Sequence, residues 1–314
     1  MKGLTDIPGL RVGHASDFDA LTGCTVVLCS SGAVGGVDIR GSATGTVEID
    51  TLHPGHIVDK VHGIVLAGGS AFGLEASCGV RRYLEQHGIG FDTGLARVPI
   101  VPGAILFDLA IGKPGVRPGR EMGEAAAAAA SEQAVQEGCV GAGTGATVGK
   151  LFGMKRAMKS GIGSFTVSLR DGVMVSALVA VNALGDVRDP RTGAVVAGAR
   201  VSEIGKEYVN SEKAMLEGAA GGFRNTTLAV VATNAQLTKV ETNKLAALAS
   251  IGVVRTIAPV NTMSDGDVTF ALSLGSARVN VDVLGVAAIE AVEQSILRAV
   301  RLARGMGGLP GLSF

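Results

Sequence analysis

A chain of 314 residues has room for one large domain or two ordinary ones. Hydrophobic residues make up 47% and charged residues 18%, with 47 glycines and no tryptophan, so small side chains must build a close-packed interior with many tight turns. The 28 basic and 28 acidic residues cancel, which removes the electrostatic case for a nucleic-acid or membrane-surface partner.

Residues 1–20 are turn-rich, and a buried strand is expected at about Cys24–Cys29. Residues 30–60, dense in Gly and Thr, read as loops with short strands. Ile64–Ala67 is a short buried strand that runs through Gly68-Gly69-Ser70 into a helix over about Ala71–His87, stopped by Gly88. A Pro/Gly-rich loop with a short strand near Val98–Val101 leads to a helix over Glu121–Glu137, built around six consecutive alanines. The Gly-rich loop Gly141–Thr147 reaches Lys150. Ser164–Leu169 and Val173–Val181 form a hairpin about Asp171-Gly172. A charged helical piece at Ser211–Leu216 precedes a strand at Leu228–Thr233. Thr238-Lys239-Val240-Glu241 is a capping box that opens a helix to about Ser250. A strand at Asp267–Leu274 and a long helix at Val281–Leu302 complete the chain. Alternating strands and helices with interspersed hairpins favour layered α/β sheets containing antiparallel pairs.

The N-terminus lacks an apolar signal-type core, and no apolar run reaches the roughly 18 residues of a membrane span, so a soluble, cytoplasmic protein is expected. Cys24, Cys29, Cys78 and Cys139 lack metal-type spacing and read as buried thiols of a reducing compartment. His53-Pro54-Gly55-His56 has no matching acidic or thiol partner, so no metal site is expected. Gly145 to Lys150 is one residue short of a nucleotide P-loop. Gly68-Gly69-Ser70 can present backbone N–H groups to an anion, although tight strand–helix packing explains the same glycines.

The most informative stretch is Asn225-Thr226-Thr227, where a Gly-rich run meets the strand beginning near Leu228. Taken alone, Thr226 reads first as an ordinary strand opener. Cutting the Asn225–Thr226 bond, however, would place a hydroxyl nucleophile and an α-amine base on one residue. Asp265 and Asp267, in Met263-Ser264-Asp265-Gly266-Asp267, can converge on such an amine; an Asp-Gly turn is the simpler reading of the same residues.

Five motifs occur in order: Thr5–His14, Leu66–Leu74, Gly141–Gly145, Asn225-Thr226-Thr227 with Val230–Thr233, and Asp265-Gly266-Asp267 with Phe270–Leu272. Together they resemble the self-processing aminopeptidases, a family of L-aminopeptidase/D-amidase-esterases, β-peptidyl aminopeptidases and endo-type 6-aminohexanoate-oligomer (nylon-oligomer) hydrolases. The Asn–Thr bond and the Asp-Gly-Asp pair are most similar to the nylon-oligomer branch. The resemblance implies a four-layer αββα sandwich like that of N-terminal nucleophile hydrolases, with ornithine-acetyltransferase-like connectivity. It further implies one domain, 1–314, that cuts itself into an α chain (1–225) and a β chain (226–314) of about 22.6 and 9.0 kDa by share of 31.6 kDa. On this likeness Thr226 is the nucleophile and Asp265 and Asp267 are its carboxylate partners. Asn182 supplies an oxyanion-type donor, Lys150 balances charge, and Gly69, Ser70, Gly143 and Thr144 contact substrate or oxyanion. Small peptides, amino-acid amides or oligoamides are the expected substrates, with no cofactor and a homo-oligomer, favoured as a tetramer, of αβ units. An acyltransferase of ornithine-acetyltransferase type and an uncleaved, non-enzymatic relative are the alternatives.

Overall fold

The computed structural model describes residues 1–221 and 225–313. Among them, nine strands hydrogen-bond into one sheet. In chain order these are β1 (Arg11–Asp17), β2 (Thr22–Ile39), β3 (Thr46–Val47), β4 (Lys60–Ala67), β5 (Gly103–Ile105), β6 (Ile162–Ser168), β7 (Met174–Asn182), β8 (Thr226–Ala235) and β9 (Val268–Ala277). Five α-helices accompany them: α1 (Ala76–Gln86), α2 (Arg120–Ala128), α3 (Ser211–Leu216), α4 (Lys239–Thr256) and α5 (Val281–Arg301). The strand order is β6-β7-β8-β9-β2-β4-β5-β3, with β1 alongside β2.

The sheet turns on β2, which is far longer than the Cys24–Cys29 strand expected. Residues Thr22–Leu28 pair with β1 and residues Val34–Ile39 pair with β9. The register against β4 shifts between Leu28 and Ala33. An irregularity of this kind bends a strand and increases its twist.

Alternation along each strand sorts its side chains between cores. Ala229, Val231 and Ala271 join Leu245, Leu284, Ala288 and Ile296 of α4 and α5. Leu228, Val230, Phe270 and Leu272 turn the other way and meet Val27, Ile64 and Leu66. Cys24, Val26 and Val65 then pack under Val80 and Leu84 of α1 and Ala126 of α2. The sheet is thus covered by α4 and α5 at one core and by α1 and α2 at another, and a third core, formed largely by strand residues, shares strands with both. Glycines allow the close helix crossings: a Cβ on Gly79 would strike the Arg120 carbonyl, and one on Gly123 the Ala76 carbonyl.

Several expected boundaries move. The helix at Ala71–His87 begins as a 3-10 turn, Ser70–Glu75, before α1, and Gly88 follows it at φ 65°. The helix expected to run to Glu137 stops at Ala128, because Ser131 exchanges backbone hydrogen bonds with Val12 at the sheet edge. Of the strand expected near Val98–Val101, only Val98 lies in one, the short hairpin strand Arg97–Val98, and β5 begins beyond it at Gly103. The helix opened by the Thr238–Glu241 capping box runs on to Thr256. Cys78 is partly exposed, whereas the other three thiols are buried. Gly222, Phe223 and Arg224, the end of the Gly-rich run before the seam, lie outside the described residues. Among the described residues no helix is long and apolar enough to cross a membrane.

Candidate active site

β8 and β9 run parallel, with Leu228 beside Val268. Parallel pairing brings the residues ahead of both strands side by side, so Asn225 forms a parallel bridge with Asp265. On its other edge, β8 pairs with β7, and the first residue of β8, Thr226, lies opposite the last of β7, Asn182. The topology thus collects Asn225, Thr226, Asp265, Asp267 and Asn182 from three separate stretches of sequence. All five are buried.

The hydrogen bonds define how the seam is held. Asn225 N–H donates to Ser264 O at 3.0 Å, and Gly266 N–H donates to Asn225 O at 2.7 Å. The Thr226 hydroxyl donates to the same Asn225 oxygen at 2.5 Å. Thr227 N–H donates to Asp267 Oδ1 at 2.6 Å, while Asp267 Oδ2 accepts from Asn261 N–H at 3.1 Å. Asp265 Oδ2 accepts from Thr262 N–H at 2.7 Å. The glycine between the two aspartates has a steric reason: a Cβ at Gly266 would stand 2.8 Å from Thr226 Oγ1.

Lys150 is fully buried among these groups and donates to Asn182 O at 2.8 Å and to Asn182 Oδ1 at 2.9 Å. The Asn182 Oδ1 also accepts from Thr147 N–H at 3.1 Å, and its Nδ2 donates to Phe107 O at 2.9 Å. One N–H of the Asn182 amide is therefore held by Phe107, and the group carries a second N–H.

Of the Gly-rich candidates, only Ser70 lines the cleft with Thr226. Gly69 N–H is taken by the buried carboxylate of Asp108 at 2.7 Å, and Thr22 Oγ1 donates to the other Asp108 oxygen at 2.6 Å. Gly69 and Ser70 both hold positive φ, 80° and 55°. Gly143 and Thr144 do not line the cleft: Gly143 O accepts from the buried Lys159 ammonium at 3.0 Å, and Thr144 Oγ1 bonds Ser16 at 3.0 Å. Asp108 was missed from sequence, although a carboxylate ending the apolar run Ala104-Ile105-Leu106-Phe107 is an available signal. The segment Ser42–Gly45, read as loop, forms another wall of the cleft with Phe107, Met263 and Ser264. The cleft measures about 520 Å³ and opens directly onto Thr226.

Burial decides the electrostatics. Loss of water lowers the Lys150 pKa from 10.5 to about 7, against the pull of Asp265, Asp108 and Asp267. Burial raises Asp265, and it raises Asp267 with the Asp265 charge adding to the effect. Asp108 is also pushed up by burial, opposed by the Thr22 hydrogen bond. Perturbed groups gathered beside one cleft make it the candidate functional centre. Among the described residues no group of three His, Cys, Asp or Glu is placed to hold a metal. His53 and His56, with ring centroids 6.3 Å apart, stand outside the cleft lining.

The chain is similar to known proteins along its whole length. It is 38% identical to an uncharacterised aminopeptidase of Mycobacterium tuberculosis (strain ATCC 25618 / H37Rv), over 99% of this chain and 96% of the relative. It is 32% identical to the 6-aminohexanoate-oligomer endohydrolase of Kocuria sp. (strain KY2), over 94% of this chain and 85% of the relative. In fold it matches the L-aminopeptidase D-Ala-esterase/amidase of Ochrobactrum anthropi, a variant of the Ntn hydrolase fold. That match has a TM-score of 0.74 at 20% identity, over 98% of this chain and 88% of that one. The profile of Peptidase family S58 matches residues 2–313. The chain therefore belongs to peptidase family S58 and is a hydrolase of amide bonds.

Proposed function

We propose that the protein is an N-terminal threonine amidohydrolase that activates itself by cutting Asn225–Thr226. The supporting observation is the buried seam itself: the Asn225 carbonyl oxygen takes the Gly266 N–H at 2.7 Å and lies 2.5 Å from the Thr226 hydroxyl. A donor on that oxygen stabilises the negative charge that develops when Oγ1 adds to the carbonyl carbon. The hydroxyl proton passes to the departing nitrogen, the C–N bond breaks, and an ester with a free α-amine remains. Water hydrolyses the ester and leaves chains of 225 and 89 residues.

The new α-amine has an ordinary pKa of about 7.7–8.0, so at neutral pH a fraction can accept the Thr226 hydroxyl proton during attack on substrate. Asp265 and Asp267 orient the amine, and Lys150 balances their charge while fixing Asn182. Asn182 can serve as an oxyanion donor through its second N–H while Phe107 O holds the first. The relatives' names indicate peptides, amino-acid amides and oligoamides as the substrate range, with an acyl-enzyme on Thr226. Intact-mass measurement of the purified protein should show two chains, and Thr226→Ala should stay whole and lack amidase activity. A single uncut chain that hydrolyses amino-acid p-nitroanilides would refute the reading.

A further inference from the structure

The ester formed during self-cleavage is itself an acyl-enzyme, whose acyl group is the chain ending at Asn225. The position of Asn225 beside Thr226 is therefore a picture of an acyl residue seated against the nucleophile. We propose that the backbone edge Ser264–Gly266 is the acyl-binding edge of the processed enzyme, with the Gly266 N–H as oxyanion donor. This rests on Thr226 being the nucleophile, as proposed above.

Two contacts flank a single Cα: Asn225 N–H on Ser264 O at 3.0 Å and Gly266 N–H on Asn225 O at 2.7 Å. They are the bonds of a parallel β-bridge, so a substrate residue would add to this edge as an extended strand. The edge is braced from behind, since Asp265 O accepts Ala43 N–H at 2.8 Å and the Asp265 carboxylate accepts Thr262 N–H at 2.7 Å. A braced edge loses little freedom on binding. The two-point spacing fits an α-amino acyl group, in which the N–H and the reacting carbonyl share one carbon. A β-amino or 6-aminohexanoyl group moves its N–H by one or more carbons and gives up one of the two bonds. The geometry thus selects α-amino acyl donors in extended conformation.

The test uses the fully processed enzyme and four p-nitroanilides: N-acetyl-alanyl, its lactate analogue with oxygen in place of that N–H, N-acetyl-β-homoalanyl and N-acetyl-6-aminohexanoyl. The alanyl compound should have the highest kcat/KM, with the lactate analogue about 3- to 10-fold lower, the fold-change of one net hydrogen bond. The β-amino and 6-aminohexanoyl compounds should fall at least as far. Equal kcat/KM for the lactate analogue, or for either longer acyl group, in an enzyme that is cut and inactivated by Thr226→Ala, overturns the edge and leaves the nucleophile standing. Hydrolysis that persists in Thr226→Ala overturns the nucleophile, and the edge with it.

Discussion

Gly266→Ala tests whether the Asp-Gly-Asp segment is shaped around Thr226. The added Cβ would stand 2.8 Å from Thr226 Oγ1 and 2.9 Å from Ala43 O. Comfortable non-bonded separations are about 3.5–4.0 Å, so the hydroxyl must retreat by about 0.5 Å or more. Ala43 blocks relief on the other side, because its N–H is tied to Asp265 O at 2.8 Å. Misplacing a reacting group by about 1 Å costs on the order of 100-fold in rate. Self-cleavage should therefore slow about 10-fold or more, whereas overpacking of this kind costs about 1–3 kcal/mol and leaves the protein folded. Intact-mass time courses after purification give the rate, and thermal unfolding gives the stability. Gly115→Ala is the control, since a Cβ there meets nothing within 4 Å, and it should change neither quantity. Wild-type cleavage by Gly266→Ala would show that the hydroxyl need not sit where the buried seam holds it.

Two further perturbations follow from buried charge. The folded-state pKa of Lys150 is lowered from 10.5 to about 7, so between those values the unfolded chain binds more protons and stability rises with pH. In an uncut Thr226→Ala background, Lys150→Met should flatten the slope of unfolding free energy between pH 7.5 and 9.5 by on the order of 1 kcal/mol per pH unit. Equal slopes in urea titrations would contradict the assignment. Asp108→Ala leaves the Thr22 hydroxyl and the Gly69 N–H without their buried acceptor and should lower stability by about 2–5 kcal/mol. An unchanged denaturation midpoint would show that this carboxylate is not what holds the Gly68–Ser70 turn.

What was legible in the sequence follows from what is local. The Thr238–Glu241 capping box, the Asp171-Gly172 hairpin and α3 depend on neighbours a few residues apart, and they stand where the spacing put them. The six alanines have high helix propensity, yet α2 stops at Ala128 because Ser131 finds hydrogen-bond partners on β1, a contact set by tertiary packing. β2 was read as a short strand and loop because glycines and threonines interrupt its apolar run, while its continuity comes from partners on both edges. Thr226, Asp265 and Asp267 were reachable through residue chemistry and motif order. Asp108 was not, since its partners Thr22 and Gly69 lie 86 and 39 residues away. Gly143 and Thr144 were taken from the Gly-rich loop motif; the Gly143 carbonyl accepts from Lys159, and neither residue is in the lining of the cleft at Thr226.

The proposed cleavage also alters the site that performs it. Before cleavage, Asp267 is raised by burial and by the neighbouring Asp265 charge, and its Oδ1 accepts the Thr227 N–H at 2.6 Å. Breaking the preceding peptide bond places an α-amine one residue from that contact. A protonated amine so close favours the carboxylate, so the Asp267 pKa should fall on processing. The same carboxylate holds the amine's proton more tightly, and the Lys150 charge works against it. The site would thus pass from a precursor whose carboxylates resist ionisation to an enzyme whose base is held by an ionised partner. Carboxyl titrations by infrared difference spectroscopy, comparing uncut Thr226→Ala with the processed protein and using Asp267→Asn to assign the band, should show the Asp267 signal titrating at lower pH after cleavage. Superimposable titrations would mean that the new amine does not sit beside Asp267, and the role given to that residue would fail with it.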